Sequence, residues 1–251
     1  MKAILLAAGF GTRLRPLTDM LPKCLVPIDG EPLLGIWLRQ LSAAGIGPFL
    51  VNTHYLSEQV ASYLKGSAYA SAVTVCHEDT LLGTAGTLMA NLEFFDGEDG
   101  LLIHADNWCT ADFREFVRAH TYRSQECLMT MMTFRTDNPS ACGIVEINSG
   151  GVVQAFHEKA ADPPGNLANG AVYLLDSEFQ LRLRTAQPDA SDFSTMVLPH
   201  YVGYIQTYET RGPFLDIGTP EAYAQACTIA ASQRKEVAQE NRTGRQAEDL
   251  L

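Results

Sequence analysis

The 251-residue sequence has few basic residues and no long hydrophobic run. It contains 18 Lys and Arg against 29 Asp and Glu, which gives a formal net charge of −11. Such an acidic balance argues against a nucleic acid or an anionic membrane as the main partner. No stretch approaches the ~20 apolar residues of a membrane span, and the apolar run at residues 3–8 is too short for a signal peptide. We therefore expect a soluble, cytoplasmic protein.

Several short motifs of known function are also missing. The six cysteines are dispersed and include no Cys-x-x-Cys pair, which argues against a zinc ribbon or a dithiol redox site. The dinucleotide-binding fingerprint Gly-x-Gly-x-x-Gly fails because Leu14 stands in place of its third glycine, so an NAD-dependent oxidoreductase is disfavoured. The Gly-Lys-Ser/Thr of a P-loop is absent as well. Any phosphate bound by this chain must be held by a different loop.

The sequence does contain an alternation of apolar strand-like segments and helices. In its first half we predict strands at residues 3–7, 49–51, 73–76 and 101–103. Helices are predicted between and after them, at residues 33–44, 57–64, 84–92 and 112–123. The second half is richer in strands, predicted at residues 128–134, 144–147, 152–157, 172–175 and 214–217. With a closing helix that starts at Thr219-Pro220-Glu221, the pattern predicts one α/β domain around a mixed sheet.

The loop after the first predicted strand combines glycines with cations. Gly9 and Gly11 allow the backbone to turn and to approach a ligand closely. In an open α/β sheet, ligands bind at the carboxyl ends of the strands, where this loop must lie. Three cations against one acid give the loop a local charge of +2; they are Arg13, Arg15 and Lys23 against Asp19. These residues favour a polyphosphate site, although on their own they also fit a glycine turn with solvated arginines.

The longer string around this loop resembles the signature of the sugar-1-phosphate nucleotidyltransferases, the NDP-sugar pyrophosphorylases. The matching residues are Leu6-Ala7-Ala8-Gly9-x-Gly11-Thr12-Arg13-Leu14-x-Pro16-Leu17-Thr18 and Pro22-Lys23-x-Leu25-Val26-Pro27-Ile28. The resemblance implies that Arg13 and Lys23 are catalytic, with Arg13 on the phosphates and Lys23 at the reacting α-phosphate. It also implies nucleotide-binding roles for Leu6, Ala8, Gly9, Gly11 and Thr12.

Two further matches concern the nucleobase and a metal ion. Gly83 and Thr84 lie in a Leu-Gly-Thr-Ala-Gly-Thr segment that resembles the family's base-binding segment. Asp106 directly follows a predicted strand, and Asp216 lies in the closing strand-to-helix motif. The resemblance implies that both carboxylates hold Mg²⁺ and that Asp106 is also catalytic. Mg²⁺ suits such a pair because it prefers one or two carboxylates together with substrate phosphates.

A last group of matches concerns the second substrate. The resemblance implies that Glu158 binds sugar hydroxyls, that Lys159 binds the sugar phosphate and that Asn169 contacts the sugar. Taken alone, Glu158 and Lys159 fit equally well as an ion pair at a solvated strand end. The sequence departs from the usual family pattern at Ala105, at Ala160 and in the exchanged pair Gly170-Ala171.

The resemblance therefore implies an enzyme that makes an NDP-sugar and pyrophosphate from an NTP and a sugar 1-phosphate, by in-line attack on the α-phosphorus. The segment at residues 78–87 is more similar to guanylyltransferases, so GTP with a mannose- or heptose-type 1-phosphate is the preferred pair. A uridylyltransferase for an amino-sugar 1-phosphate of the N-acetylmuramate type remains open. So does a function from another class, a non-catalytic nucleotide-sugar sensor or scaffold with the same fold.

The resemblance also bears on architecture. It implies a Rossmann-like three-layer α/β/α sandwich with a mixed, mainly parallel sheet. The catalytic domain would cover residues 1–230, followed by a polar C-terminal helix or tail at residues 231–251. Formation of a homo-oligomer is left open.

Overall fold

The computed structural model describes the backbone of residues 1–248 and the side chains of residues 1–235. The strands are β1 (Lys2–Leu6), β2 (Pro27–Ile28), β3 (Glu31–Pro32), β4 (Phe49–Thr53), β5 (Val73–His77), β6 (Gly100–His104), β7 (Asn107–Cys109), β8 (Met129–Arg135), β9 (Gly143–Ile147), β10 (Val153–Glu158), β11 (Leu167–Leu175), β12 (Ile205–Glu209) and β13 (Phe214–Asp216). The longer helices are α1 (Leu33–Ala43), α2 (Ser57–Gly66), α3 (Gly83–Ala90), α4 (Phe113–Thr121), α5 (Ser177–Ala186) and α6 (Pro220–Glu248).

Nine of the strands form one central sheet, parallel in one half and largely antiparallel in the other. β1 pairs in parallel with both β4 and β6, and β5 extends this half beyond β4. On the far side of β6, β11 runs antiparallel to β6, β8 and β9. β10 and β12 complete that half through β9 and β8. The predicted Rossmann-like fold with a mixed, mainly parallel sheet is confirmed.

The three layers follow from the burial of β1 on both of its faces. Ala3 and Leu5 pack into one hydrophobic core, which includes side chains from α1, α2, α4 and α6. Ile4 and Leu6 point the opposite way, into a second core that includes side chains from α3 and α5. All four residues are buried. An unbroken apolar run is the sequence pattern expected of a strand covered by helices on both sides.

The second half of the chain differs from expectation in three elements. Helix α5 and strand β12 were not predicted, and β11 starts at Leu167 rather than at residue 172. Helix α5 was not predicted because its apolar stripe is narrow. Only Phe179, Gln180 and Leu183 of its ten residues are buried. No helix among residues 1–248 is long and apolar enough to cross a membrane.

A two-stranded ribbon and a helix close the fold. β13 pairs antiparallel with β7, and this pairing sets Asp216 opposite Asn107, next to Asp106 in the chain. α6 follows with the predicted start, since the hydroxyl of Thr219 accepts a hydrogen bond from the backbone N–H of Ala222 at 3.3 Å. The polar segment expected at residues 231–251 falls on the end of α6, which is helical through Glu248. The last three residues lie outside the described part of the chain.

Candidate active site

A cavity of about 330 Å³ opens at the carboxyl ends of β1, β4 and β6. It is lined by every residue to which the sequence gave a nucleotide-binding role, namely Leu6, Ala8, Gly9, Gly11, Thr12, Gly83 and Thr84. The three residues expected to be catalytic, Arg13, Lys23 and Asp106, line it as well. The structure therefore brings these ten residues together in one cavity.

The glycine loop folds back on itself because of Gly11. Its φ angle is +62°, in the left-handed region that favours glycine. A Cβ atom at this position would come within 3.0 Å of Lys23 Cβ and of Thr18 Cγ2. The Thr18 hydroxyl donates a hydrogen bond of 2.7 Å to the carbonyl of Gly11. Gly11 thus allows the loop to turn tightly enough to pack against Lys23.

Four charged residues from three distant parts of the chain meet beside the cavity. Lys23 Nζ lies 2.9 Å from Asp106 Oδ2 and 3.4 Å from Asp216 Oδ1. Arg13 Nη2 lies 3.2 Å from Asp216 Oδ2. Lys23 is buried, with only 5% of its surface exposed. A buried ammonium requires paired negative charge, which the two carboxylates supply.

The pKa of the Asp106 carboxyl reflects two opposing effects. Desolvation by the surrounding protein is the larger single effect, and it pushes the pKa upward. The positive charge of Lys23, with smaller contributions from His104 and from the hydrogen bond to Lys23, outweighs it, so the pKa lies below its ordinary value. Asp106 is therefore held as a carboxylate, which is the form that binds a cation.

Asp106 and Asp216 fit a Mg²⁺ ion by the chemistry of their donor atoms. Both offer carboxylate oxygens to the same ammonium group, so the two side chains lie close together. Among residues 1–235, whose side chains are described, there is no cluster of three or more His, Cys, Asp or Glu residues that could bind a metal ion. Mg²⁺ commonly completes its shell with water and substrate phosphates. The pair therefore suits a metal ion that arrives with a nucleotide.

A buried polar network forms part of the wall of the cavity. Glu78 Oε1 accepts hydrogen bonds from Asn52 Nδ2 at 2.9 Å and from the Thr87 hydroxyl at 2.6 Å. Glu78 Oε2 accepts one from the backbone N–H of Leu82 at 3.1 Å. Asn52 Oδ1 in turn accepts from the backbone N–H of Ala7 at 2.7 Å. Asn52, Glu78 and Thr87 thereby tie the strand end before the glycine loop to the start of α3.

This network was not predicted from the sequence. One signal was available, because Asn52 interrupts a buried apolar strand next to its carboxyl end. Glu78 could not be singled out, since its partners lie in separate elements that come together only in the fold.

The start of α3 is fixed by a segment much later in the chain. Gly83 has φ +79°, and a Cβ atom there would clash with the backbone oxygen of Ser191. That same oxygen accepts a hydrogen bond from the backbone N–H of Ala85 at 3.0 Å. The Thr84 hydroxyl accepts one from the backbone N–H of Phe193 at 2.7 Å. Gly83 and Thr84 thus line the cavity in a conformation set by residues 191–193.

The residues expected to bind the sugar phosphate lie outside the residues that line this cavity. Glu158 ends β10, and its Oε1 lies 3.5 Å from Lys159 Nζ in an exposed ion pair. The backbone of Lys159 has φ +47°, and its N–H donates a hydrogen bond to the carbonyl of Cys142. Asn169 lies in β11, where its Nδ2 donates a hydrogen bond of 2.7 Å to the Tyr173 hydroxyl. The structure places these three residues on β10 and β11, in the antiparallel half of the sheet.

The exchanged pair Gly170-Ala171 is constrained at both positions. A Cβ atom on Gly170 would come within 3.1 Å of the Phe214 ring and 3.0 Å of the Met132 carbonyl oxygen. Ala171 has φ +53°, a conformation that glycine adopts with less strain. Asn169 Oδ1 accepts a hydrogen bond from the Ala171 N–H at 2.9 Å and so holds this bend.

His104 is the remaining polar residue of the cavity that sequence reasoning missed. It ends β6, and its ring packs edge-on against Tyr173 with a centroid separation of 6.3 Å. Burial is the main cause of a lowered pKa of its imidazole. Its Nε2 atom is buried and, within the described residues, has no hydrogen-bond partner.

Comparison with known proteins gives this site a family. A family profile described as nucleotidyl transferase matches residues 2–233, which is most of the chain. The chain belongs to the nucleotidyl transferase family. The resemblance read from the glycine loop is thereby confirmed.

Curated relatives of the family include a mannose-1-phosphate guanyltransferase from Schizosaccharomyces pombe, which is 30% identical over 244 residues. The alignment covers 94% of this chain and 66% of the relative. The mannose-1-phosphate guanylyltransferase catalytic subunit beta of Xenopus tropicalis is 29% identical, with 89% of this chain and 62% of the relative covered. The chain thus spans somewhat less than two thirds of the length of these relatives.

Solved structures of similar fold match over nearly their full length. A Bacillus anthracis protein assigned as a glucose-1-phosphate thymidylyltransferase, solved in complex with a sucrose, has a TM-score of 0.82 and 25% identity. The match covers 92% of this chain and 95% of that one. HddC from Yersinia pseudotuberculosis has a TM-score of 0.76 and 24% identity, with 91% and 98% covered, which shows a shared fold.

Proposed function

We propose that the protein transfers a nucleotidyl group from an NTP to a sugar 1-phosphate and releases pyrophosphate. The observation that carries this proposal is the meeting of Arg13, Lys23, Asp106 and Asp216 beside one cavity. In a reaction between two phosphorylated substrates, the two cations can offset the negative charge of the phosphates, and the two carboxylates can hold a metal ion. The names of the curated relatives support the same class of reaction.

The nucleotide would bind in the loop that follows β1. The backbone around Gly11 and Thr12, together with the guanidinium of Arg13, lines the cavity and would contact the phosphates. Lys23 forms ion pairs with Asp106 and Asp216, and its ammonium would contact the α-phosphate. In the reaction, an oxygen of the sugar phosphate forms a bond to the α-phosphorus. The bond from that phosphorus to the bridging oxygen of the β-phosphate breaks, and pyrophosphate leaves.

Catalysis in this scheme rests on position and charge. Arg13 and Lys23 would offset the negative charge that shifts between the phosphate oxygens during attack. No covalent intermediate with a protein side chain is needed, because the two substrates react directly. Lys23 starts from an ion pair with the carboxylates, so it would exchange part of that contact for the phosphate.

Asp106 and Asp216 would hold Mg²⁺ in the working enzyme. A bound Mg²⁺ ion supplies charge neutralisation to the phosphates that it contacts. Arg13 and Lys23 orient the two carboxylates, through contacts of 3.2 Å and 2.9 Å. The protein thereby holds both carboxyl groups beside the same ammonium group.

The sugar 1-phosphate would approach from the antiparallel half of the sheet. Glu158 and Lys159 stand at the end of β10, and Asn169 stands on β11, from which β10 is separated by β9. Lys159 is exposed, and among the side chains that the structure describes it pairs with the adjacent Glu158 alone. It is therefore free to bind the phosphate of an incoming sugar, while Glu158 and Asn169 would contact its hydroxyls.

For the base and the sugar we propose GTP with a mannose- or heptose-type 1-phosphate. The Gly-Thr-Ala-Gly start of α3 and the curated guanyltransferase relatives support this choice. The deciding experiment measures pyrophosphate release for four NTPs, each with a panel of sugar 1-phosphates that includes an amino sugar. We expect the highest kcat/KM with GTP and a hexose or heptose 1-phosphate.

The same assay separates the competing functions. Higher kcat/KM with UTP and an amino-sugar 1-phosphate would replace the proposed substrates and keep the reaction. Binding of a nucleotide or sugar phosphate without any release of pyrophosphate would indicate a sensor and overturn the proposed enzyme.

A further inference from the structure

His104 differs from the other polar residues of the cavity wall because one of its ring nitrogens lacks a partner. The network of Asn52, Glu78 and Thr87 is fully hydrogen-bonded, whereas Nε2 of His104 is buried and unpaired among the described residues. Buried polar atoms in folded proteins are nearly always paired. An unpaired one disfavours the free protein, and a ligand that supplies the missing bond recovers that loss. His104 is one of the residues that line the cavity, where such a ligand would bind.

The position of His104 in the sheet indicates which ligand this is. β6 lies between β1, which leads into the nucleotide loop, and β11, which carries Asn169. The His104 ring packs edge-on against Tyr173, whose hydroxyl accepts the hydrogen bond from Asn169. His104 thus belongs to the side of the cavity that continues toward β11. The base would lie against the wall formed by Glu78 and α3 instead.

The chemistry around His104 favours a hydroxyl group as its partner. The phosphates of the two substrates already have proposed cationic partners in Arg13, Lys23 and Lys159. A neutral imidazole nitrogen donates or accepts according to its tautomer. A hydroxyl both donates and accepts, so it pairs with either tautomer.

We infer that His104 hydrogen-bonds a hydroxyl of the sugar 1-phosphate and selects the sugar by that contact. This inference rests on the proposed function, because it assigns a specificity residue to the same site. The contact would make the enzyme discriminate against the sugar that lacks this one hydroxyl.

The test compares His104→Leu and His104→Gln with the unchanged protein, and uses His200→Leu as a matched control at an exposed histidine. Calorimetry measures the Kd of a sugar 1-phosphate and of its monodeoxy analogues, and kinetics give KM for each substrate. We expect His104→Leu to weaken binding of the parent sugar by about 10- to 100-fold, the loss expected for one hydrogen bond in a closed site. KM for the NTP should stay the same, and His104→Gln should retain part of the affinity.

One analogue should behave differently from the others. The monodeoxy sugar that lacks the contacted hydroxyl should bind the unchanged protein and His104→Leu equally, because it removes the same interaction from the other side. His104→Leu should unfold at no lower temperature than His200→Leu, since it removes an unpaired buried nitrogen. Equal thermal midpoints therefore exclude misfolding as the cause of a weaker Kd.

The outcomes distinguish this inference from the proposed function. The inference is wrong, with the reaction intact, if the unchanged protein releases pyrophosphate but His104→Leu weakens every analogue equally or raises KM for the NTP. If no pair of substrates releases pyrophosphate, the proposed function fails, and the calorimetry still tests His104. Equal affinity of the unchanged protein and His104→Leu for every sugar 1-phosphate, or no binding to either, then overturns the assignment.

Discussion

Lys23 donates a hydrogen bond of 2.9 Å to Asp106 across a separation of 83 residues in the chain. The lysine comes from the loop after β1, and the aspartate follows β6, the parallel neighbour of β1. Because the carboxyl ends of neighbouring parallel strands share one edge of the sheet, the two side chains meet there. This ion pair joins the proposed nucleotide loop to the proposed metal site before any substrate binds.

Removal of either carboxylate should abolish most activity without unfolding the protein. We expect Asp106→Asn and Asp216→Asn to lower kcat by at least 100-fold, because a neutral amide neither binds Mg²⁺ well nor balances Lys23. The measurement is pyrophosphate release across a Mg²⁺ titration, with the exposed Asp189→Asn as control. Full activity of Asp216→Asn, or of the unchanged protein in excess EDTA, would contradict the metal assignment.

Lys23 and Lys159 should act on different substrates. Lys23 is buried beside the two carboxylates, so Lys23→Ala should lose mainly kcat, by about 10²–10³-fold if it stabilises charge in the transition state. Lys159 is exposed on the side of the proposed sugar site, so Lys159→Ala should mainly raise KM for the sugar 1-phosphate. Arginine should restore neither fully, since a planar guanidinium does not replace a compact ammonium.

Kinetics with each substrate varied in turn decide this division. The exposed Lys65→Ala serves as the control for loss of a positive charge. If Lys159→Ala abolished NTP binding while Lys23→Ala weakened only the sugar phosphate, the two halves of the site would be reversed.

Glu78 should matter for both stability and nucleotide binding. In Glu78→Gln, an amide N–H₂ replaces one carboxylate oxygen, so at least one of its three protein donors loses its acceptor. We expect a loss of about 1–3 kcal/mol in the free energy of unfolding. KM for the NTP should rise, with KM for the sugar 1-phosphate unchanged, since the loop before α3 is loosened.

Urea unfolding and steady-state kinetics test this together. The exposed Glu93→Gln should change the free energy of unfolding by less than about 0.5 kcal/mol. A Glu78→Gln protein as stable as Glu93→Gln, with normal KM for the NTP, would show that the network is dispensable.

Substitutions at the two positions of the exchanged pair in β11, Gly170 and Ala171, should change the free energy of unfolding in opposite directions. Ala171→Gly should raise the free energy of unfolding by about 0.5–1 kcal/mol, because it relieves a left-handed alanine and the gain exceeds the added chain entropy. Gly170→Ala should lower it by about 1–3 kcal/mol, since its methyl would press on the Phe214 ring. Urea unfolding of both variants measures the two changes in the free energy of unfolding. Changes of the same sign would contradict this account.

The sequence was sufficient to predict those parts of the candidate site whose residues lie close together in the chain. Gly11, Arg13 and Lys23 stand in one continuous string, and the apolar strand before them is unmistakable, so the loop and its position at the sheet edge were predicted correctly. The closing motif likewise placed Asp216 in a short strand before a capped helix, which the structure bears out. The antiparallel partner of that strand, β7, was not foreseen because it is three residues long.

The remaining parts of the candidate site depend on contacts between segments that are distant in the chain. The periodicity of apolar residues in the sequence carries no information about such contacts. Glu78 has partners on β4 and α3, and the start of α3 is held by Ser191, more than one hundred residues later. His104 gives no signal in the sequence, because its importance lies in a bond that the fold leaves unmade. Helix α5 was missed for a simpler reason, since most of its residues face solvent.

The central place of β1 has a consequence for how the molecule opens. Its backbone is hydrogen-bonded on both edges and its side chains are covered on both faces, so its amide protons should exchange with solvent only when the whole domain unfolds. The glycine loop begins directly after it, and several of its residues are exposed. In deuterium exchange, the slowest amides of the protein should therefore adjoin some of the fastest, with the boundary near Ala7.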